Sequence, residues 1–175
     1  MKSTKKMVIL SLLVSQALVL HVIERMIPVP IPVPIPVPGV KLGLANVISL
    51  FTIIIFGWKE ATLVVFLRTI LGSFFGGGIS SFLYSFTGGI FSTIIMALLY
   101  KYFKNIFSII AISVVGAVFH NIGQILIASM VVSNANLFYY LPVLLISAVI
   151  TGIFIGLTVQ YTMKPLQIIL KMDRL

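Results

Sequence analysis

The residues able to do chemistry in this 175-residue chain are few: three acidic side chains (Glu24, Glu60 and Asp173), two histidines (His21 and His120) and no cysteine. That inventory removes a thiolate nucleophile, a disulfide framework, a cysteine zinc site and any paired-aspartate metal site. No enzyme activity, metal or cofactor is expected; transport or anchoring remains. The polar side chains worth weighing are then those embedded in apolar sequence. Arg25, Lys41 and Arg68 are suited to an anionic headgroup, Arg68 most effectively where the dielectric is low. Pairing of Glu24 with one of these cations accounts for it equally well, and Arg25 and Lys41 are long enough to snorkel to lipid headgroups. His120, Asn121 and Gln124 share one small, polar side of a helix with Ser113, Gly116, Ala117 and Ala128. Ligand contact and helix-to-helix hydrogen bonding are both open for these three.

Such groups need elements to hold them, and composition names the medium. Hydrophobic residues make up 60% of the chain and charged residues 9%, against roughly 25% charged in soluble domains. With a mean hydropathy of +1.22, this reads as an all-α integral membrane protein. The net charge of +9 does not imply nucleic acid. Most basic residues fall in short breaks between apolar runs, and no basic cluster is interleaved with aromatics.

Six spans are expected in a single membrane domain: 7–27, 42–58, 61–75, 80–100, 106–132 and 137–163. The first follows Lys2, Lys5 and Lys6 as a secretory signal would, but no small-x-small cleavage site succeeds it, so it is expected to be retained. Span three contains Arg68. Nine strongly apolar residues contribute about −3 to −5 kcal/mol to insertion and a central Arg opposes it by about 3 kcal/mol, so this span needs its neighbours, with Arg68 facing the bundle interior. The stretch 105–163 lacks Asp, Glu, Lys and Arg, and suits two spans joined at Ser133-Asn134-Ala135-Asn136.

Between spans one and two, residues 28–39 alternate proline with valine or isoleucine and close on Gly39. Every second residue lacks an N–H, and each residue before a proline is pushed out of the α region, so no helix forms. A polyproline-II rod of roughly 34 Å is expected, at the membrane surface or over a cavity mouth, as a lid or as a spacer. With both termini cytoplasmic, the inner side collects Lys2, Lys5, Lys6, Lys59, Lys101, Lys104, Lys164, Lys171 and Arg174, and the outer side only Arg25 and Lys41. Nine against two fixes the expected orientation in the cell membrane and puts the proline rod outside.

Small residues at helical spacing, Ser11 and Ser15 on span one and Gly152 and Gly156 on span six, permit close backbone approach. Internal packing and docking of a second membrane subunit both fit.

The runs Val22-Ile23-Glu24-Arg25-Met26-Ile27-Pro28, Val37-Pro38-Gly39-Val40-Lys41-Leu42-Gly43-Leu44-Ala45-Asn46 and Gly116-Ala117-Val118-Phe119-His120-Asn121-Ile122-Gly123-Gln124 resemble the Gx transporter family. Many of its members carry the label heptaprenyl diphosphate synthase component I, and the resemblance covers nearly the whole chain. The family is in turn similar to the S components of energy-coupling factor (ECF) transporters, six-helix proteins that capture a micronutrient near the outer face. A transmembrane T subunit and two cytoplasmic ATPases power them. The resemblance implies ligand-site roles for Glu24, Lys41, Asn46, Arg68, His120, Asn121 and Gln124, and a docking role for Ser11 and Ser15. It implies a small solute, with anionic and prenylated ones among the options. A trans-prenyl synthase holds magnesium and diphosphate with two aspartate-rich motifs, and the single aspartate here excludes that catalysis. A membrane accessory subunit of such a synthase and a structural anchor are the alternatives. There is no Walker A loop, so ATP hydrolysis would fall to partners.

Overall fold

The computed structural model describes residues 3–26 and 41–170. Six α-helices account for most of them: α1 (Ser3–Ile23), α2 (Asn46–Phe56), α3 (Trp58–Gly72), α4 (Gly78–Phe103), α5 (Ile109–Val132) and α6 (Leu141–Leu170). No strand occurs among the described residues. The proline-rich stretch expected as a lid or spacer, residues 28–39, lies outside them.

Four helical segments are long and apolar enough to cross a bilayer: Thr4–Ile23, Gly78–Phe103, Ile109–Val132 and Ala135–Pro165. Their outward faces carry Val8, Leu12, Ile94, Ile146, Ile150 and Phe154, all exposed. So continuous an apolar surface is stable against lipid, not against water.

Of the other two helices, α2 is shorter than expected and α3 begins three residues earlier than expected. Span two was anticipated as continuous from 42 to 58, but α2 has only 11 residues, about 16 Å of rise. Lys41–Ala45, which leads into it, is not helical. Gly43 adopts a φ of 85°, a left-handed conformation that a side chain would disfavour. At the other end Gly57, with φ 100°, is the single residue between α2 and α3, so Trp58 opens the next helix instead of closing this one. The 15 residues of α3 pass into a π-helical turn, Ser73–Gly77, and Gly78 starts α4 at φ 63°. The glycine run 76–78 is thus partly wound.

The later boundaries follow local signals. Ser108 caps α5 by accepting a hydrogen bond from the Ala111 amide at 3.1 Å. Left-handed Ser133 ends that helix, and a 3₁₀ segment, Ala135–Tyr140, leads into α6. Three apolar cores hold the bundle. One packs Leu50, Ile53, Ala61, Met96, Ile112, Ile155 and Met163; another joins Leu13, Ala17, Ile48 and Val64; the third gathers Tyr84, Ile125, Ala128, Leu137 and Leu144.

The bundle has two distinct ends. Ala61, Met96 and Met163 share a core, which brings the neighbouring Lys59, Lys101 and Lys164 to one end. There the Lys6 ammonium donates to the Glu60 carboxylate, tying the start of α1 to the start of α3. That contact holds the Glu60 carboxyl below its ordinary range. The other end holds most of the buried polar side chains.

On α6, Gly152 and Gly156 are already covered. A Cβ on Gly152 would lie 2.5 Å from the Val114 Cα, and one on Gly156 would lie 2.6 Å from the Ile110 Cα. Their close approach is spent on α5, which corrects the expectation of subunit docking at these two glycines. Ser11 and Ser15 are exposed on α1, and each hydroxyl donates to the carbonyl four residues back at 3.0 Å.

Candidate functional site

Seven polar side chains from four helices, the 3₁₀ turn after α1 and the Lys41–Ala45 segment meet at the end away from the lysines. They are His21, Glu24, Lys41, Asn46, Arg68, His120 and Gln124, each at most 4% exposed. The segment itself explains part of this gathering. Irregular backbone at membrane depth persists only when the protein supplies its hydrogen bonds. Here Glu24 does so, accepting from the Gly43 amide and from the Leu44 amide at 3.1 Å. Gln124 Oε1 accepts from the Lys41 amide at 3.1 Å. Gln124 lies eight residues before the end of α5, about 12 Å in, so the segment dips into the bundle.

The cationic groups come next. Lys41 Nζ donates to His21 Nε2 at 2.7 Å, which requires a lone pair on that nitrogen. Arg68 Nη2 donates to Asn46 Oδ1 at 3.2 Å. Arginine has no acceptor, so this contact fixes the amide orientation and turns Asn46 Nδ2 elsewhere. Asn46 Nδ2 and Arg68 Nε are both buried, and neither has a hydrogen-bond partner among the described residues. Gln124 Nε2 lies 3.0 Å from His120 Nε2, completing a chain from α5 to the segment.

Room for these groups comes from missing side chains on facing helices. A Cβ on Gly72 would lie 2.5 Å from the His21 ring; one on Gly88 would lie 2.8 Å from Gln124 Cγ. On Gly89 it would sit 2.8 Å from Val65 and 3.1 Å from Arg68 Nη2. The small stripe on α4 is therefore a mould for α3 and α5.

Of the residues expected to form the site, Glu24, Lys41, Asn46, Arg68, His120 and Gln124 come together. Asn121 does not join them, because one step along α5 turns it toward α6, where Nδ2 donates to the Leu144 carbonyl at 2.7 Å. His21 was not anticipated. The available signal was its position three residues before Glu24, near enough in register for both to face the same neighbours. Among the described residues, no group of three or more His, Cys, Asp or Glu is placed to hold a metal ion.

An all-helical protein with four membrane-length helices, enclosing a cluster of ionisable and amide side chains, is a polytopic membrane protein. Residues 13–162 match the family described as heptaprenyl diphosphate synthase component I, and the chain belongs to that family. No curated protein and no solved structure matches it.

Proposed function

We propose that this chain is the membrane-embedded solute-binding component of a transporter, of the ECF S-component kind. In this reading the chain makes six passes of the cell membrane, the second completed by the non-helical Lys41–Ala45 segment leading into α2; both termini are cytoplasmic, and the lysine end faces the cytoplasm. A small solute is captured from the outer face at the cluster of Glu24, Lys41, Asn46, Arg68, His120 and Gln124. A transmembrane T subunit and ATPase subunits power its release inward, with the exposed Ser11 and Ser15 face of α1 offered for docking.

The observation that carries the reading is the cluster itself. Burying ionisable side chains at membrane depth is expensive and defaults to a functional role. Packing alone needs neither the second cation nor the unpartnered donors on Arg68 and Asn46. The family description favours a second reading, a membrane partner of a prenyl diphosphate synthase. With Asp173 as the only aspartate, such a role would be non-catalytic.

Native mass spectrometry of the protein, purified in mild detergent from its own host, separates the two. A stoichiometric small molecule, with or without ATPase subunits, is the expected result. An empty protein accompanied by an aspartate-rich soluble synthase would overturn it.

A further inference from the structure

The charges around Arg68 do not balance. Within the cluster stand two cations, Lys41 and Arg68, and one carboxylate, Glu24. The chain contains only two other acidic residues. Glu60 is engaged by Lys6 at the opposite end, and Asp173 lies outside the described residues. Arg68 has no ion pair among the described residues, and its guanidinium stays protonated at any physiological pH. It is 2% exposed, beside the first residue of α2, Asn46, where the helix dipole adds further positive potential. Among the described residues, Glu24 is the one carboxylate at this end, and it is shared between the two cations.

We infer that the cluster binds an oxyanion group, a carboxylate or phosphate, between Arg68 Nε and Asn46 Nδ2. This rests on the solute-binding reading and names the chemistry that the solute brings. Both donors are buried and unpartnered. The Nε side of a guanidinium presents parallel N–H bonds that match an oxyanion. The place is closed in this conformation, because the Asn46 amide nitrogen would be 2.9 Å from a Cβ on Gly43. Binding requires the Lys41–Ala45 segment to lift away from the Glu24 carboxylate and the Gln124 amide, while its Gly43, Leu44 and Ala45 carbonyls, accepting from backbone amides in the first turn of α2, keep it hinged there. Left-handed Gly43 is its natural pivot. The anion restores neutrality in addition to Glu24, not in place of it.

The test is thermal unfolding of the full chain in phosphatidylcholine nanodiscs, with phosphate or acetate titrated against chloride at constant ionic strength. The expected result is a saturable rise in midpoint with at least one of the two oxyanions. In Arg68→Gln the half-saturating concentration should increase about ten- to hundredfold, the effect of removing a hydrogen bond to a charged group. Asn46→Asp supplies an internal carboxylate, so its midpoint should start higher and ignore added oxyanion. A wild-type protein that holds a neutral small molecule and ignores both anions would overturn this inference while leaving the transport reading intact. Asn46→Asp responding like wild type would also overturn it. A response obtained only when phosphatidylglycerol replaces phosphatidylcholine would keep the oxyanion site but make it a lipid site, and so overturn the solute reading.

Discussion

Removing the Glu24 carboxylate would strand two buried amides, those of Gly43 and Leu44. At about 1–3 kcal/mol for each orphaned donor, Glu24→Leu should lower stability by about 2–6 kcal/mol. Glu24→Gln keeps one acceptor oxygen and should cost much less, with thermal unfolding distinguishing the two. That Glu24, Lys41, Arg68, His120 and Gln124 are polar groups set in apolar surroundings was legible in the sequence, since each interrupts or adjoins apolar sequence where a polar group is costly. Their partners were not. Nothing in residue order says that Gln124 reaches the Lys41 amide 83 positions away, or that Asn121 turns to α6. Long-range pairing follows from helix rotation, and an error of one residue redirects a side chain by about 100°.

At the scale of elements, apolar run lengths placed the four long helices within about four residues at each end, except that α6 runs seven residues past the expected 163. The clearest departure was at the start of α2, where a run of apolar residues looks the same wound or unwound. Leu42–Ala45 carries no residue that forbids a helix, and the hydrogen bonds to Glu24 and Gln124, with left-handed Gly43, account for its shape. The small residues were legible as close-approach sites, but not which helix approaches. Gly156→Val would drive a side chain into Ile110, and overpacking of this kind should cost about 1–3 kcal/mol in unfolding measurements. Ser11→Leu on the exposed face of α1 should change stability by less than about 0.5 kcal/mol while reducing copurification of a T subunit.

For the whole molecule, the orientation rests on the asymmetry between the lysine end and the cluster end. The chain has no cysteine, so single introduced cysteines report topology without background. Lys104→Cys should react with an impermeant reagent only after the inner face is opened, and Asn134→Cys should react in intact cells. The Lys6–Glu60 pair staples the lysine end, and its pH dependence has a definite sign. Because the folded carboxyl is held below its ordinary value of 4.5, the contribution is complete above that value and fades as pH falls through the lowered one. Part-exposed and screened by salt, the pair should contribute under about 1 kcal/mol, as Lys6→Gln unfolding at low and high ionic strength would show.

The single glycine between α2 and α3 also bears on how the chain is made. Two helices joined by one residue are expected to insert as a hairpin, in which Arg68 can take Asn46 for a partner, as it does in the folded chain. Glu24 is synthesised ahead of the segment whose amides it accepts, so Gly43 and Leu44 are provided for as they emerge. The Lys41 amide is not; its acceptor belongs to the fifth helix. The first half of the protein therefore waits on Gln124 of the fifth helix for the acceptor of its Lys41 amide.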